Sequence, residues 1–474
     1  MSPWTRRTFL MAAKRALTAS ANPAPRRNVL FIAADDLNHA FSAYGHRIVQ
    51  TPNLDSIARR GVRFDRAYCQ FPLCSPSRTS VMTGLAPDTT GVYNLQTHFR
   101  ENIPNVVTLG QAFQKNDYFV GRVGKIFHYG NPGQIGTNGL DDEPTWNQRI
   151  NPIGVDKTKE EPLLTNFTPG RGIGSAVCFH ASSARDEEHT DGIVAAESIR
   201  LMEENRNRPW FVGAGFYKPH CPWISPSKYF DMVPLKKVEL IPFEEWEMKI
   251  APRWAYFTVP ANWGMSEKQR LEAMRAYYAA ILFLDAQVGK VLDAVKRLGQ
   301  EEKTTILFWS DHGYGLGEHG QWMKQTVFEY AARSPLMMCG AGVPARGQGC
   351  GRTVEFLDIY PTLADLCGLK DVPRGLHGRS LRPLLENPRA AWDRPAVTQV
   401  HRAQKGDGVR GYSLRTERYR YTMWNETGEG EELYDYAKDP RELKNLAADA
   451  GAAGLKKDLH ARLQATLALR RPAR

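Results

Sequence analysis

The sequence predicts an α/β fold. A large mixed, mostly parallel sheet lies between two helical layers, and a smaller subdomain with a four-stranded antiparallel sheet and a helix follows it. Three observations carry this. Apolar runs without alternation at 28–34, 210–216 and 304–310 have the character of strands covered on both faces. Helical stretches separate them, as in parallel strands joined by crossovers. After Pro388, short strand-like runs follow one another with no helix between.

Asn28 to Ala34 forms the first strand and ends in Asp35-Asp36. Open α/β sheets place their ligands at such carboxyl ends. Thr51 to Arg60 reads as a short helix stopped by Gly61. Cys74-Ser75-Pro76-Ser77-Arg78 opens the next helix, with Pro76 and Ser77 as first-turn and N-cap residues. A thiol there, beside an arginine, sits in a positive field that favours thiolate and bound anions. Val107 to Asn116 is a helix, and Tyr118 to Val123 a strand leading into Gly124-Lys125-Ile126-Phe127-His128. Gly130 to Gly174, rich in Gly, Pro and Asn, is expected to be an irregular excursion over the site.

Asp186 to Asn205 is helical by spacing, and Trp210 to Phe216 is a strand ending at Lys218-Pro219-His220. A Pro/Trp-rich loop region spans 222–263. Ser266 with Gln269 makes a capping box that opens a long helix ending at Gly299. Thr304 to Ser310 is a strand ending in Asp311-His312-Gly313, and Phe356 to Leu366 a helix closed by Gly368. Strands at 396–400, 411–415, 419–424 and 432–436 and a helix at 455–469 complete the chain. The expected division is a leader at 1–27, a catalytic domain at 28–388 and a C-terminal subdomain at 389–474.

The chain has 474 residues, longer than one simple core accommodates, and a net charge of +11. Such a charge suits polyanions. Nucleic acid is one such partner, but the basic residues are scattered and carry no helix-turn-helix, zinc-finger or RNA-binding signature; a sulfated polysaccharide explains the charge equally. No apolar run is long enough to span a bilayer. The seven cysteines include no Cys-x-x-Cys pair. Cys339 and Cys350 are either a pair across a loop or free thiols. Thr5-Arg6-Arg7-Thr8-Phe9-Leu10 resembles a twin-arginine export signal, with Ala19-Ser20-Ala21 as cleavage site, although Lys14-Arg15 breaks its apolar region. Export to the periplasm or medium is the expectation, with the cytoplasm as alternative.

Two strands that end in acids would make an oxygen-rich site, which favours Ca²⁺ or Mg²⁺ over zinc. Cys74-x-Pro76-Ser77-Arg78 followed by Thr83-Gly84 resembles the signature of the type I, formylglycine-dependent sulfatases of the alkaline phosphatase superfamily. The Cys-x5-Arg loop of tyrosine phosphatases does not fit, because Arg78 follows Cys74 too closely. Within the family the resemblance is to the iduronate-2-sulfatase branch. It rests on Pro87-Asp88-Thr89-Thr90, Tyr93-Asn94, Gly124 to His128, Lys218-Pro219-His220, Gly315 to Gly320, Leu357 to Leu369, Arg415-Thr416 through Trp424, and Glu432 to Asp435.

The resemblance implies the three-layer alkaline-phosphatase-like fold. It implies oxidation of Cys74 to formylglycine by a formylglycine-generating enzyme, and a divalent ion, usually calcium, with magnesium as alternative. Its ligands would be Asp35, Asp36, Cys74, Asp311 and His312, where the family often has asparagine for His312. Arg78, Lys125, His128, His220 and Lys324 match the family's remaining catalytic motifs. One hydroxyl of the hydrated aldehyde would attack sulfur while Lys125 and Lys324 neutralise sulfate oxygens. His220 or Lys324 would protonate the leaving alcohol, and His128 would take the proton that eliminates sulfate. The expected substrate is a sulfated glycan, with Asn94, His98, Trp223, His401 and Arg402 as candidate selectors. The alternatives are a phosphonate monoester or phosphodiester hydrolase and an inactive glycan-binding homologue.

Overall fold

A computed structural model describes residues 26–402, 408–425 and 430–470. The export signal falls outside these residues. The main sheet is built from β1 (Asn28–Ala34), β2 (Gly61–Tyr68), β3 (Phe119–Gly124), β4 (Gln148–Ile150), β5 (Trp210–Gly215), β6 (Thr304–Ser310), β7 (Leu336–Gly340) and β8 (Gln348–Glu355). Their order across the sheet is β8-β2-β7-β6-β1-β5-β3-β4. Only β7 runs against its neighbours β2 and β6; every other pairing is parallel.

The central strand is apolar because both its faces are buried. Leu30, Ile32 and Ala34 enter one core, while Val29, Phe31 and Ala33 enter the other. The first core is covered by α4 (Thr190–Glu204) and α5 (Glu267–Arg297), with α1 (Pro52–Arg60) beside them. The second is covered by α2 (Cys74–Thr83), α3 (Leu109–Gln114) and α6 (Ile359–Leu366). The expected capping box starts α5, with Ser266 Oγ accepting from Gln269 N.

Four strands of the main sheet depart from the sequence reading. β2, β4, β7 and β8 were not anticipated, and composition explains two of them: β2 carries Arg63, Asp65 and Arg66 beside the sheet's β8 edge, and β8 reads QGCGRTVE, whereas β7 is the short apolar run LMMCG. Gly61 both ends α1 and opens β2. A Cβ at Gly61 would come within 1.9 Å of the Met338 carbonyl oxygen, so glycine is what lets β7 approach. Cys339 and Cys350 are free, because β2 lies between their strands. The 130–174 segment is more ordered than expected, since β4 extends the sheet edge and Thr165–Asn166 starts a separate three-stranded sheet.

The C-terminal antiparallel sheet is present, formed by β9 (Ala396–Arg402), β10 (Val409–Arg415), β11 (Tyr419–Trp424) and β12 (Glu431–Asp435) in sequence order. Helix α7 (Ala453–Ala468) covers one face through Leu459, Leu463 and Leu467. The other face is tied to the main domain by buried charge: Arg420, which also lies 2.9 Å from Glu442 of its own subdomain, bonds Glu329.

Candidate active site

The parallel register of β1 and β6 pairs Ala34 with Ser310, so the acids that follow emerge side by side. Asp36 adopts a left-handed φ of 63° and its N–H donates to Asp311 Oδ1 at 3.1 Å. Tyr277 of α5 braces this turn, donating its hydroxyl to the Asp36 carbonyl at 2.7 Å. Its helical spacing marks it only as a core residue, so the sequence carried no signal for that role.

Cys74 is the first residue of α2, capped by Leu73 rather than by Pro76 or Ser77. Ser77 instead donates its hydroxyl to the Asp311 carbonyl. One turn on from Cys74, Arg78 is fully buried. Its Nε reaches Asp311 Oδ2 at 2.9 Å, its Nη2 reaches Asp35 Oδ1 at 3.2 Å, and its Nη1 donates to the Lys125 carbonyl at 2.6 Å. Lys125 follows β3 and donates to Asp35 Oδ2 at 2.6 Å. The turn that aims it needs Gly124, whose φ is 68° and whose Cβ would meet the Gly215 oxygen at 2.2 Å.

Lys324 donates to Asp36 Oδ1 at 2.6 Å and to Cys74 Sγ at 3.1 Å. Its neighbours Met323 and Gln325 both have φ of 70°, a conformation costly for non-glycine residues and concentrated at functional sites. His312 donates from Nδ1 to the Gly313 carbonyl at 2.9 Å. That fixes its tautomer and leaves the Nε2 lone pair facing Cys74 Sγ and Asp36 Oδ1, each at 3.4 Å. His220 likewise donates from Nδ1 to the Cys221 carbonyl, with Nε2 3.7 Å from Asp36 Oδ2.

Ligand atoms of Asp36, Cys74, Asp311 and His312 all lie within 4.8 Å of one another. Asp36 Oδ2 is buried without a hydrogen-bond partner among the described residues. An orphaned carboxylate oxygen beside a bare imidazole nitrogen is the donor set a divalent cation completes. Asp35, Cys74 and His220 form a second such group around the same sulfur.

Electrostatics sorts these residues into charged and neutral. Burial raises Asp311 and Asp35, but Arg78 for the first and Lys125 for the second hold both below the usual carboxylate range. Burial pulls Lys324 down, yet Asp36 and Asp35 outweigh it and keep the ammonium charged. His128 and His220 are pushed well below the usual histidine range, by burial and then by Lys125 for His128 and Lys324 for His220. Burial also pushes the Cys74 thiol well up, outweighing Lys125 and Lys324, so the expected thiolate is not what this site favours.

Cys74, His128, His220 and Lys324 line one cavity of about 550 Å³, a size suited to a small ligand. Parts of the excursion, 130–134 and 171–175, wall it as expected. None of the five candidate selectors lines it. Trp223 is fully buried against Tyr277 and Tyr314. Asn94 caps its own turn, accepting from Gln96 N and Thr97 N, and His98 stacks on Phe99. His401 packs edge-on to Tyr93. Arg402 donates to the Trp254 carbonyl and lies beside Phe257, which does line the cavity. Arg171 is in the wall, on a segment where no motif pointed to it.

The sulfatase family model matches residues 27–369, and a model of the C-terminal region of N-sulphoglucosamine sulphohydrolase matches 317–468. A sulfatase of Formosa agariphila is 32% identical over 446 residues, covering 89% of this chain and 83% of that protein. The iduronate 2-sulfatase of Mus musculus is 31% identical over 514 residues, covering 90% and 92%. The phosphonate monoester hydrolase of Agrobacterium radiobacter superposes with a TM-score of 0.78 at 25% identity, covering 94% of this chain and 96% of that one. With the acids and cations gathered around Cys74 and that cysteine in the cavity wall, the chain belongs to the sulfatase family and is a sulfuric ester hydrolase.

Proposed function

We propose that this enzyme cleaves a sulfate ester on an anionic saccharide, with residue 74 present as formylglycine beside a divalent cation, calcium or magnesium. The observation that carries the reading is the convergence on Cys74 Sγ of Lys324 Nζ at 3.1 Å, His312 Nε2 at 3.4 Å and Asp36 Oδ1 at 3.8 Å. A thiol buried there, held protonated by its surroundings, is a poor nucleophile. Conversion to an aldehyde hydrate by a formylglycine-generating enzyme replaces it with a hydroxyl nucleophile, and the cation supplies neutralisation of sulfate charge. Asp35, Asp36, Asp311, His312 and residue 74 would hold that cation.

The chain's own groups then divide the work. Arg78 fixes Asp35 and Asp311 in place. Lys125 and Lys324 neutralise charge developing on the sulfate oxygens. His128 and His220 are neutral in the resting site, and His128 is the group assigned to take the proton when sulfate is eliminated. Lys324 bears a proton in the resting site, so it is the group assigned to the leaving alcohol. The name of the mouse relative and the net charge of +11 support an anionic saccharide substrate. In this reading 28–388 carries the chemistry, 389–474 braces it, and the leader directs the enzyme out of the cytoplasm.

The likeness to a phosphonate monoester hydrolase supports a second reading, in which the same site cleaves a phosphonate monoester or phosphodiester. Sulfate release from sulfated mono- and disaccharides, compared with turnover of an aryl phosphonate monoester, tests both. Faster cleavage of the phosphonate ester would overturn the first reading.

A further inference from the structure

Arg171 lies over the Trp263 ring with its guanidinium carbon 4.1 Å from the centroid, and 5.9 Å from that of Phe257. Its Nε donates to the Ser175 carbonyl at 2.6 Å. These contacts fix the guanidinium plane. They leave the four N–H groups of Nη1 and Nη2 without a protein acceptor among the described residues, and no carboxylate there pairs with them. Glu161, the acid in the same cavity wall, is taken by Lys157 at 2.6 Å.

The platform is built. Asn262 and Trp263 have φ of 51° and 48°, a left-handed pair that non-glycine residues adopt only when held. Asn262 Oδ1 accepts from Trp322 Nε1 at 2.9 Å and anchors the turn. On Phe257, Arg402 adds a second guanidinium 5.9 Å from the ring centroid. Its Nη1 and Nη2 are buried without a hydrogen-bond partner among the described residues. The wall is therefore strongly electropositive, and Arg171 is the part of it that lines the cavity with Cys74, His128 and Lys324. A planar fork of free donors, partly desolvated, matches a carboxylate or a sulfate two bonds at a time.

We propose that Arg171 is a specificity-determining residue that binds a second anionic group, a carboxylate or another sulfate, on the substrate whose sulfate ester is cleaved at residue 74. The proposal rests on the sulfatase reading of that site. It explains what a loop brace would not: a brace needs only the Nε bond and the indole face.

The test uses three substrates with the scissile sulfate at one position: a hexuronate monosulfate, a disulfated hexosamine and a neutral hexose monosulfate. The quantity read is the ratio of kcat/KM for each anionic substrate to that for the neutral one. In Arg171→Gln the ratio should fall by about 10- to 100-fold, mainly through KM, as a charged hydrogen-bonding pair is lost. Arg171→Lys should recover part of it. A fall confined to the hexuronate assigns a carboxylate, and a fall confined to the hexosamine assigns a second sulfate. An unchanged ratio, or all three substrates falling in proportion, overturns the proposal. Calorimetric binding of the hexuronate and neutral monosulfates to Cys74→Ala, with and without Arg171→Gln, decides the same point without turnover. If the wild type cleaves none of the three, the saccharide reading of the site fails, while the calorimetry still judges Arg171.

Discussion

Lys324 donates to Cys74 Sγ at 3.1 Å while its other contact, Asp36 Oδ1, lies 2.6 Å away. One ammonium thus bridges the residue that attacks and an acid that would hold the cation. Lys324→Ala should lower kcat by about 10²- to 10³-fold, the usual loss when one preorganised donor to developing charge is removed. The effect belongs in kcat, because the donor matters most as charge moves to the leaving oxygen. Steady-state kinetics on an activated aryl sulfate, whose leaving group needs no proton, should show a smaller loss than on an alkyl sulfate. Equal losses would contradict the assignment of Lys324 as general acid.

Residue 74 should not be a thiol in active enzyme. Mass spectrometry of the peptide containing Cys74, from protein co-expressed with a formylglycine-generating enzyme, should show the aldehyde. Activity should scale with the converted fraction. Cys74→Ala should be inactive and folded, since the side chain is small, buried and adds little packing. Full sulfate release by unconverted thiol enzyme would overturn the scheme.

Removal of divalent cations should lower both activity and thermal stability. Asp35, Asp36 and Asp311 crowd together, and Asp36 Oδ2 has no partner among the described residues. A ligand that binds only the folded state stabilises it by mass action. Chelator should lower the melting temperature, and calcium or magnesium should restore it. His312→Ala should weaken cation affinity at least 10-fold, by analogy with loss of even an outer-shell partner. Titration of the metal-free protein followed by thermal shift checks this without reference to turnover.

Arg78 is a structural requirement as much as a catalytic one. It is fully buried between Asp311 and Asp35, and its guanidinium lies 5.7 Å from the Trp309 ring centroid. Arg78→Met would leave two buried carboxylates short of their counter-charge, at a cost of about 3–5 kcal/mol. Denaturant unfolding, or recovery in the soluble fraction, should register that loss. Bound cation should partly offset it.

Much of this was legible in the chain because the chemistry sits where strands end. Asp35-Asp36, Lys125, His220 and Asp311-His312 each follow an apolar run that reads plainly as a strand. The parallel sheet then has no choice but to bring those ends together. Strands β2 and β8 escaped because charged and glycine-rich sequences near a sheet edge lack the apolar signal. Tyr277 and Arg171 escaped for another reason. Their roles come from contacts across long stretches of chain, Tyr277 to Asp36 and Arg171 to Trp263, which no local spacing records. The five candidate selectors lie outside the cavity wall, and three of them, Trp223, His401 and Arg402, sit on strands whose packing, not their order in the chain, decides which way they face.

Glu432 gives a prediction independent of catalysis. It is buried in the C-terminal sheet, where Oε1 accepts from Trp424 Nε1 at 2.7 Å and Oε2 accepts from the Tyr434 hydroxyl at 2.8 Å. Burial, with Glu442 adding to it, pushes this carboxyl up to about 7, against partial relief from those two donors. A carboxyl whose folded value is raised contributes stability below its unfolded value and loses it as pH climbs through the folded value. The Glu432 contribution to stability should therefore decline by up to about 3 kcal/mol from about pH 5 to about pH 8, against the opposite slope of buried histidines such as His128 and His220. Glu432→Gln keeps an acceptor for the indole and offers an amide N–H to the Tyr434 oxygen, with no charge to bury. Its unfolding midpoint should decline less over that range, and it should exceed the wild type at the alkaline end. Asp191, also raised to about 7 by burial, leaves a residual slope of the same sign. A variant whose decline matched the wild type would show that Glu432 stays ionised throughout.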